Sequence, residues 1–254
     1  MDSTALKLVL TPVLIGTASL VGRRWGPAVS GWLVGIPFTS GPISFFLAVS
    51  YGTTFAAAVA AGTLSGTLSQ VAFCLTYIWL AKRWRWQWTL FASTVLFFVI
   101  TALLQFFPLP LMPLSILILL TLITALYLVS RQPQQASSIS RPLPPWDIPL
   151  RMFIATSYVL LLTAFASVLG PHLTGLLSPF PMYATILALF AHRLAGPAAA
   201  SQVLHGLLYG LFAFSGFFLT LALLLEPIGI VGAFAMAVVI VLAIQAISLS
   251  VLRR

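Results

Sequence analysis

The sequence predicts an all-α polytopic membrane protein of about nine transmembrane helices, built as an inverted 4+1+4 internal repeat. Three observations lead there. The 254 residues are 61% hydrophobic and 6% charged, whereas a water-soluble domain averages about 25% charged residues. The apolar residues fall into stretches of membrane-crossing length. The chain also matches itself when shifted by 144 positions. The first observation excludes most soluble enzyme classes, because so few charges cannot cover a globular surface.

At 1.5 Å rise per residue, about 20 apolar residues cross a hydrocarbon core of roughly 30 Å. Charges, prolines and tryptophans divide the chain into such stretches at about 4–22, 26–49, 53–80, 88–107, 111–129, 150–169, 171–194, 197–225 and 227–251. The breaks between them are short: Arg23-Arg24-Trp25-Gly26-Pro27, Tyr51-Gly52, Lys82-Arg83-Trp84-Arg85-Trp86 and Pro108-Leu109-Pro110. One connection is long. It runs from Ser130 to Pro149, is rich in Pro, Gln and Ser, and reads as a flexible, soluble linker. The expected organisation is a first four-helix repeat over 1–107, a connecting helix and linker over 108–149, and a second, inverted repeat over 150–254. The N-terminus carries Asp2 and Lys7 ahead of an apolar run but has neither a basic leader nor a small-residue cleavage site, so the first stretch reads as a retained span.

Orientation follows from the basic residues, which stay on the cytoplasmic side. With the N-terminus outside, the inside connections hold Arg23, Arg24, Lys82, Arg83, Arg85, Arg131, Arg141, Arg151 and Arg193, and the cytoplasmic C-terminus adds Arg253 and Arg254. Only Lys7 of the 12 basic residues falls elsewhere. The net charge of +9 is therefore a topology signal and not a nucleic-acid footprint. Lys82 to Trp88, with interleaved tryptophans, suits anionic lipid head groups.

The 144-residue shift lays Gly26-Pro27 on Gly170-Pro171, Gly31 on Gly175, Pro37 on Pro181 and Gly52 on Gly196. It continues without a gap through Gly62 on Gly206, Gly66 on Gly210 and Leu75-Thr76 on Leu219-Thr220, giving 16 identities over the 55 positions 26–80. Glycines and prolines dominate the matches, so they concern backbone geometry more than lipid-facing composition. The shift places spans one to four on spans six to nine. A displacement by five spans is odd, so the halves are expected to lie antiparallel, as in inverted-repeat transporters.

Span two contains Gly35-Ile36-Pro37-Phe38-Thr39-Ser40-Gly41-Pro42, and its counterpart contains Ser178-Pro179-Phe180-Pro181-Met182-Tyr183-Ala184-Thr185. Pro37 lies ten residues after Pro27, which is about 15 Å, or half the hydrocarbon thickness. Closely spaced prolines there predict a short unwound stretch at mid-membrane rather than a simple kink. Pro37, Pro179 and Pro181 would create the unwound backbone, and Thr39, Ser40, Gly41, Tyr183 and Thr185 would coordinate a substrate beside it. Two helix N-termini aimed at one cavity favour negative charge, which points to a solute with an anionic group.

Gly62 and Gly66, and Gly206 and Gly210, form Gly-x-x-x-Gly pairs suited to close helix packing between the halves. No Asp, Glu, Lys or Arg is expected near mid-membrane. The remaining polar candidates are His205, Gln70, Gln105, Gln245 and Tyr209, with His205 the proton-coupling candidate. His172 and His192 lie in different connections and Cys74 is alone, so neither a metal site nor any other cofactor is expected. Hydrolase and phosphate-loop motifs are missing from the sequence, and no enzyme activity is expected.

The stretch Gly175 to Gly196, with Phe180-Pro181, Ala191-His192 and Gly196, followed by the Gly206 to Gly210 span, resembles the GlpM family of small bacterial inner-membrane proteins. The resemblance covers spans six to eight. It implies a bacterial inner-membrane location and an origin by fusion of two copies with a connecting span. Together these readings anticipate a carrier or facilitator of a small, anionic solute that works by alternating access; the competing expectation is a noncatalytic scaffold or accessory subunit with a dry repeat interface. Membrane lipids are the other expected partner, and a homo-oligomer is left open.

Overall fold

In a hydrocarbon setting each apolar segment must satisfy its own backbone hydrogen bonds, which a helix does within one stretch of chain. The computed structural model describes residues 3–25, 27–131 and 146–252. Its regular elements are α1 (Ser3–Trp25), α2 (Pro27–Val34), α3 (Ser40–Tyr51), α4 (Thr53–Leu80), α5 (Trp86–Phe106), α6 (Leu111–Ser130), α7 (Asp147–Leu177), α8 (Met182–Ala195) and α9 (Pro197–Leu252). Among the described residues there is no strand. Asp2, Gly26, most of the expected linker and the Arg253-Arg254 tail lie outside them.

Among the described residues, five helices, α4, α5, α6, α7 and α9, are long and apolar enough to cross a membrane. The outward surface agrees. Trp88, Phe91 and Phe98 on α5, Met112 and Ile116 on α6, and Val231 and Val239 in the last part of α9 are exposed, an arrangement that is costly in water and natural against lipid. The protein is an all-α membrane protein.

Among the described residues, four glycines in the left-handed half of backbone space punctuate the chain. Gly52 (φ 88°) separates α3 from α4, Gly196 (φ 87°) separates α8 from α9, and Gly170 (φ 74°) and Gly229 (φ 73°) interrupt α7 and α9. With ψ near 180° at all four, this backbone is essentially restricted to glycine. A Cβ at any of the four would meet nothing within 4 Å, so conformation rather than space demands glycine there. Gly52 and Gly196 also repeat each other's bonds: their N–H groups donate to Ala48 (3.0 Å) and His192 (3.1 Å), and their carbonyls accept from Ala56 (3.2 Å) and Ala200 (3.5 Å).

The interior is built around α4 and the first part of α9. They pack on each other, α4 also against α7 and α5, and α9 also against α2 and α8. Ala56, Ala60, Leu64, Val71 and Phe73 of α4 join Val203, Leu207, Leu211 and Phe218 of α9 in one buried cluster.

Small residues let the backbones touch. A Cβ on Gly66 would lie 2.5 Å from Pro179 Cγ and 2.6 Å from the Leu176 carbonyl oxygen. A Cβ on Gly210 would lie 2.6 Å from Gly35 Cα and 2.6 Å from the Trp32 carbonyl oxygen. These contacts are counterparts under the 144-residue shift, which carries Gly66 to Gly210, Trp32 to Leu176 and Gly35 to Pro179. Thus α4 lies on the end of α7, and α9 lies on the end of α2. Gly62 packs in the same way on Gly175 and the His172 carbonyl, and Gly206 is buried within α9.

Candidate functional site: the crossing of two interrupted helices

Helix α2 stops at Val34 and α3 begins at Ser40; the last turns of α7 stop at Leu177 and α8 begins at Met182. The chain through the two breaks follows one pattern. Ile36 N–H donates to Leu33 (3.0 Å) and Phe180 N–H to Leu177 (2.9 Å). Phe38 N–H then donates to Ile36 and Met182 N–H to Phe180, both at 2.7 Å and both across only two residues. Such bonds close inverse γ-turns, whose central residue has φ of about −75° and ψ of about +65°; Pro181 has φ −80° and ψ 56°. Proline suits that position because its ring already holds φ near −65°. Gly41 N–H to Pro37 (2.8 Å) and Thr185 N–H to Pro181 (2.7 Å) then restart the helix.

Breaking a helix frees carbonyls, and here side chains meet them. Tyr158 on α7 donates to the Leu177 carbonyl at 2.5 Å, and Ser40 donates to the Ser178 carbonyl at 2.8 Å. Gln245 Nε2, from the last part of α9, donates to the Trp32 carbonyl at 2.9 Å. Phe180 anchors its break among aromatics, with ring centres 5.0 Å from Phe97 and 5.7 Å from Phe98. Neither α3 nor α8 starts with a side-chain cap, so the positive ends of both helices lie at the crossing with their first-turn N–H groups uncovered by side chains.

Between the breaks lies a cavity of about 20 Å³, room for roughly one water molecule. Ile36, Pro37, Phe38, Thr39 and Gln70 line it together with Phe180, Pro181, Met182, Tyr183 and Phe214. The second five are the first five displaced by 144 positions. Gln70 Oε1 on the lining is buried with no hydrogen-bond partner, as are Ser178 Oγ inside the break, Ser44 Oγ in the second turn of α3 and Thr185 Oγ1 in the first turn of α8, whereas buried polar atoms are paired in the large majority of cases.

Of the residues singled out in the sequence, Pro37, Thr39, Ser40, Pro179, Pro181 and Tyr183 line this cavity. Gly41 and Thr185 lie next to it in sequence but are not on its lining. His205 is buried on α9 beside Tyr209, ring centres 5.2 Å apart, and also stands off the lining. His172 meets Gln105 (3.0 Å) and His192 meets the Tyr77 hydroxyl (3.3 Å). Among the described residues, no three His, Cys, Asp or Glu side chains form a group that could hold a metal ion.

Sequence reasoning missed the Asp147–Arg151 pair. The charge count puts Arg151 in a cytoplasmic connection, but it is 2% exposed in the second turn of α7, and Asp147 is 0% exposed. Arg151 Nε meets Oδ1 at 2.9 Å and Nη2 meets Oδ2 at 2.6 Å. The guanidinium carbon also sits 5.2 Å from the centre of the Tyr183 ring, whose hydroxyl accepts from Ser19 at 2.9 Å. Opposite charges four residues apart at the head of a span were the available signal.

The fold and the crossing define the class: an α-helical membrane protein with two interrupted helices whose breaks meet around a small cavity. No protein-family model, curated protein or solved structure matches the chain.

Proposed function

We propose that the protein is a secondary carrier or facilitator for a small, anionic solute, working by alternating access of two inverted repeats. One observation carries this reading. Two interrupted helices meet at matched positions around a cavity whose lining carries an unpartnered polar atom, Gln70 Oε1. Unwound backbone in a membrane is tolerated where it is buried in protein or lines a cavity, and carriers use such breaks for their binding sites.

In this reading the chain crosses the membrane nine times. A helix of 56 residues would measure about 84 Å, so α9 makes two crossings joined at Gly229; α2 with α3, and the end of α7 with α8, make one interrupted crossing each. The halves then run antiparallel, with the N-terminus outside and the C-terminus in the cytoplasm of a bacterial cell. An origin by duplication of a GlpM-like unit belongs to the same proposal. The reciprocal contacts of Gly66 and Gly210 support two packings of nearly equal energy, the requirement for exposing one site to either side in turn.

The buried Cys74 is replaced by Ser, and single cysteines are placed at Thr39 and Tyr183. Membrane-impermeant thiol reagents added from either side are expected to label both positions, at rates that change with the side of addition. If neither position ever reacts, the crossing is dry and the scaffold reading replaces this one.

A further inference from the structure

Arg83, Arg85, Arg131 and Arg193 are exposed, whereas Arg151 is among the largest fully buried side chains of the protein. Burying an ion pair seldom stabilises a fold more than apolar residues of similar size would, so stability alone does not account for Asp147 and Arg151. Their surroundings suggest another role. Arg151 faces the ring of Tyr183, Tyr183 is held by Ser19, and Tyr183 lines the cavity at the crossing. Polar groups therefore continue from the ion pair to the two breaks.

We infer that Arg151 is the receptor for the carboxylate of a small solute, with Asp147 occupying its fork as an internal carboxylate. Two parallel N–H···O bonds, at 2.9 and 2.6 Å, are the geometry by which arginine recognises a planar carboxylate, so the receptor is already shaped for that class of anion. Nε and Nη2 are committed to Asp147, so a solute carboxylate must displace it to take the fork. Asp147 stands in the first turn of α7, where the helix dipole stabilises a negative charge, so it can release Arg151 without losing all favourable surroundings. Ser19 and Tyr183 add neutral hydroxyls beside the guanidinium. This inference rests on the carrier reading for the route of the solute but not for its binding.

The test uses the full chain in phospholipid nanodiscs, titrated calorimetrically with acetate, succinate and benzoate, and with inorganic phosphate and choline for comparison. Removing the competitor in Asp147→Asn is expected to tighten carboxylate binding at least tenfold. Arg151→Gln is expected to weaken it at least tenfold, and Arg151→Lys to keep part of it. If Arg151→Gln leaves too little folded protein, the comparison of Asp147→Asn with the native chain decides alone. Equal affinities in these two, binding in neither, or phosphate preferred over every carboxylate would overturn the inference. Flux of labelled acetate into sealed vesicles is measured separately. Binding without flux removes the carrier and keeps the receptor; flux without binding at Arg151 does the reverse.

Discussion

Ser40 donates a hydrogen bond of 2.8 Å to the backbone carbonyl of Ser178, joining the first residue of α3 to the first residue beyond α7. Both residues are buried, 1% and 0% exposed. The carbonyl is one that the break removes from its helix, so the bond replaces a lost backbone partner. Ser40→Ala would leave it buried and unpaired, at a cost of about 1–3 kcal/mol. The expected outcome is a lower melting temperature in detergent for Ser40→Ala. Its counterpart Ala184 carries no hydroxyl, and Ala184→Gly is expected to lower the melting temperature less.

The second prediction concerns the touching backbones. A Cβ at position 210 would lie 2.6 Å from both Gly35 Cα and the Trp32 carbonyl oxygen, and one at position 66 would lie 2.6 Å from the Leu176 carbonyl oxygen. Backbone cannot step aside as a flexible side chain can. Gly66→Ala and Gly210→Ala should each destabilise by about 1–3 kcal/mol through overpacking. Equal losses in the two are expected because they occupy equivalent contacts, and thermal unfolding of each variant checks both size and equality. A loss in one alone would mean that the two crossings are not equivalent.

Gly52 and Gly196 give a contrasting case. No atom lies within 4 Å of where their Cβ would be, yet φ is 88° and 87°. Alanine there should cost about 1–3 kcal/mol from backbone strain alone. Gly52→Asn should cost about as much as Gly52→Ala, because with ψ near 180° this backbone excludes both side chains alike. At Gly66 asparagine should cost more than alanine, since it adds bulk to a closed contact. Melting temperatures of the four variants separate conformational from steric need for glycine.

These residues also mark how far the sequence could be read. Pro37 and Pro181 were legible as breaks because proline cannot continue the hydrogen-bond ladder, and the repeat picked out the pair among 17 prolines. The inverse γ-turns were not legible, since proline fits several turn types. Gln70 was legible only as a polar residue in an apolar run; its counterpart is Phe214, so the repeat said nothing about its place at the cavity. The burial of Arg151 was not legible for a more general reason. The rule that assigns arginine to connections measures only where charge falls along the chain. Whether a carboxylate one turn earlier and an aromatic ring from another helix make burial tolerable depends on packing, which a linear count does not register.

The last prediction links the crossing to the outer part of the fold. Gln245 Nε2 donates to the Trp32 carbonyl at 2.9 Å, and Trp32 Nε1 donates to Ser248 Oγ at 2.8 Å. The last part of α9 thereby latches α2 just before its break. Trp32 O also accepts from Gly35 N–H at 3.0 Å, so losing Gln245 leaves the carbonyl partnered and the chain able to fold. What Gln245→Leu removes is one tie holding the closed crossing. A net hydrogen-bond contribution of about 0.5–1.5 kcal/mol corresponds to roughly a two- to tenfold change in the population of an opened state. The measurement is the labelling rate of a cysteine at Thr39 in the Cys74→Ser background, with and without Gln245→Leu. A faster rate by about that factor is expected, with little change in melting temperature. An unchanged rate would mean that α2 is held by its glycine contact with α9 and that Gln245 contributes nothing to closure.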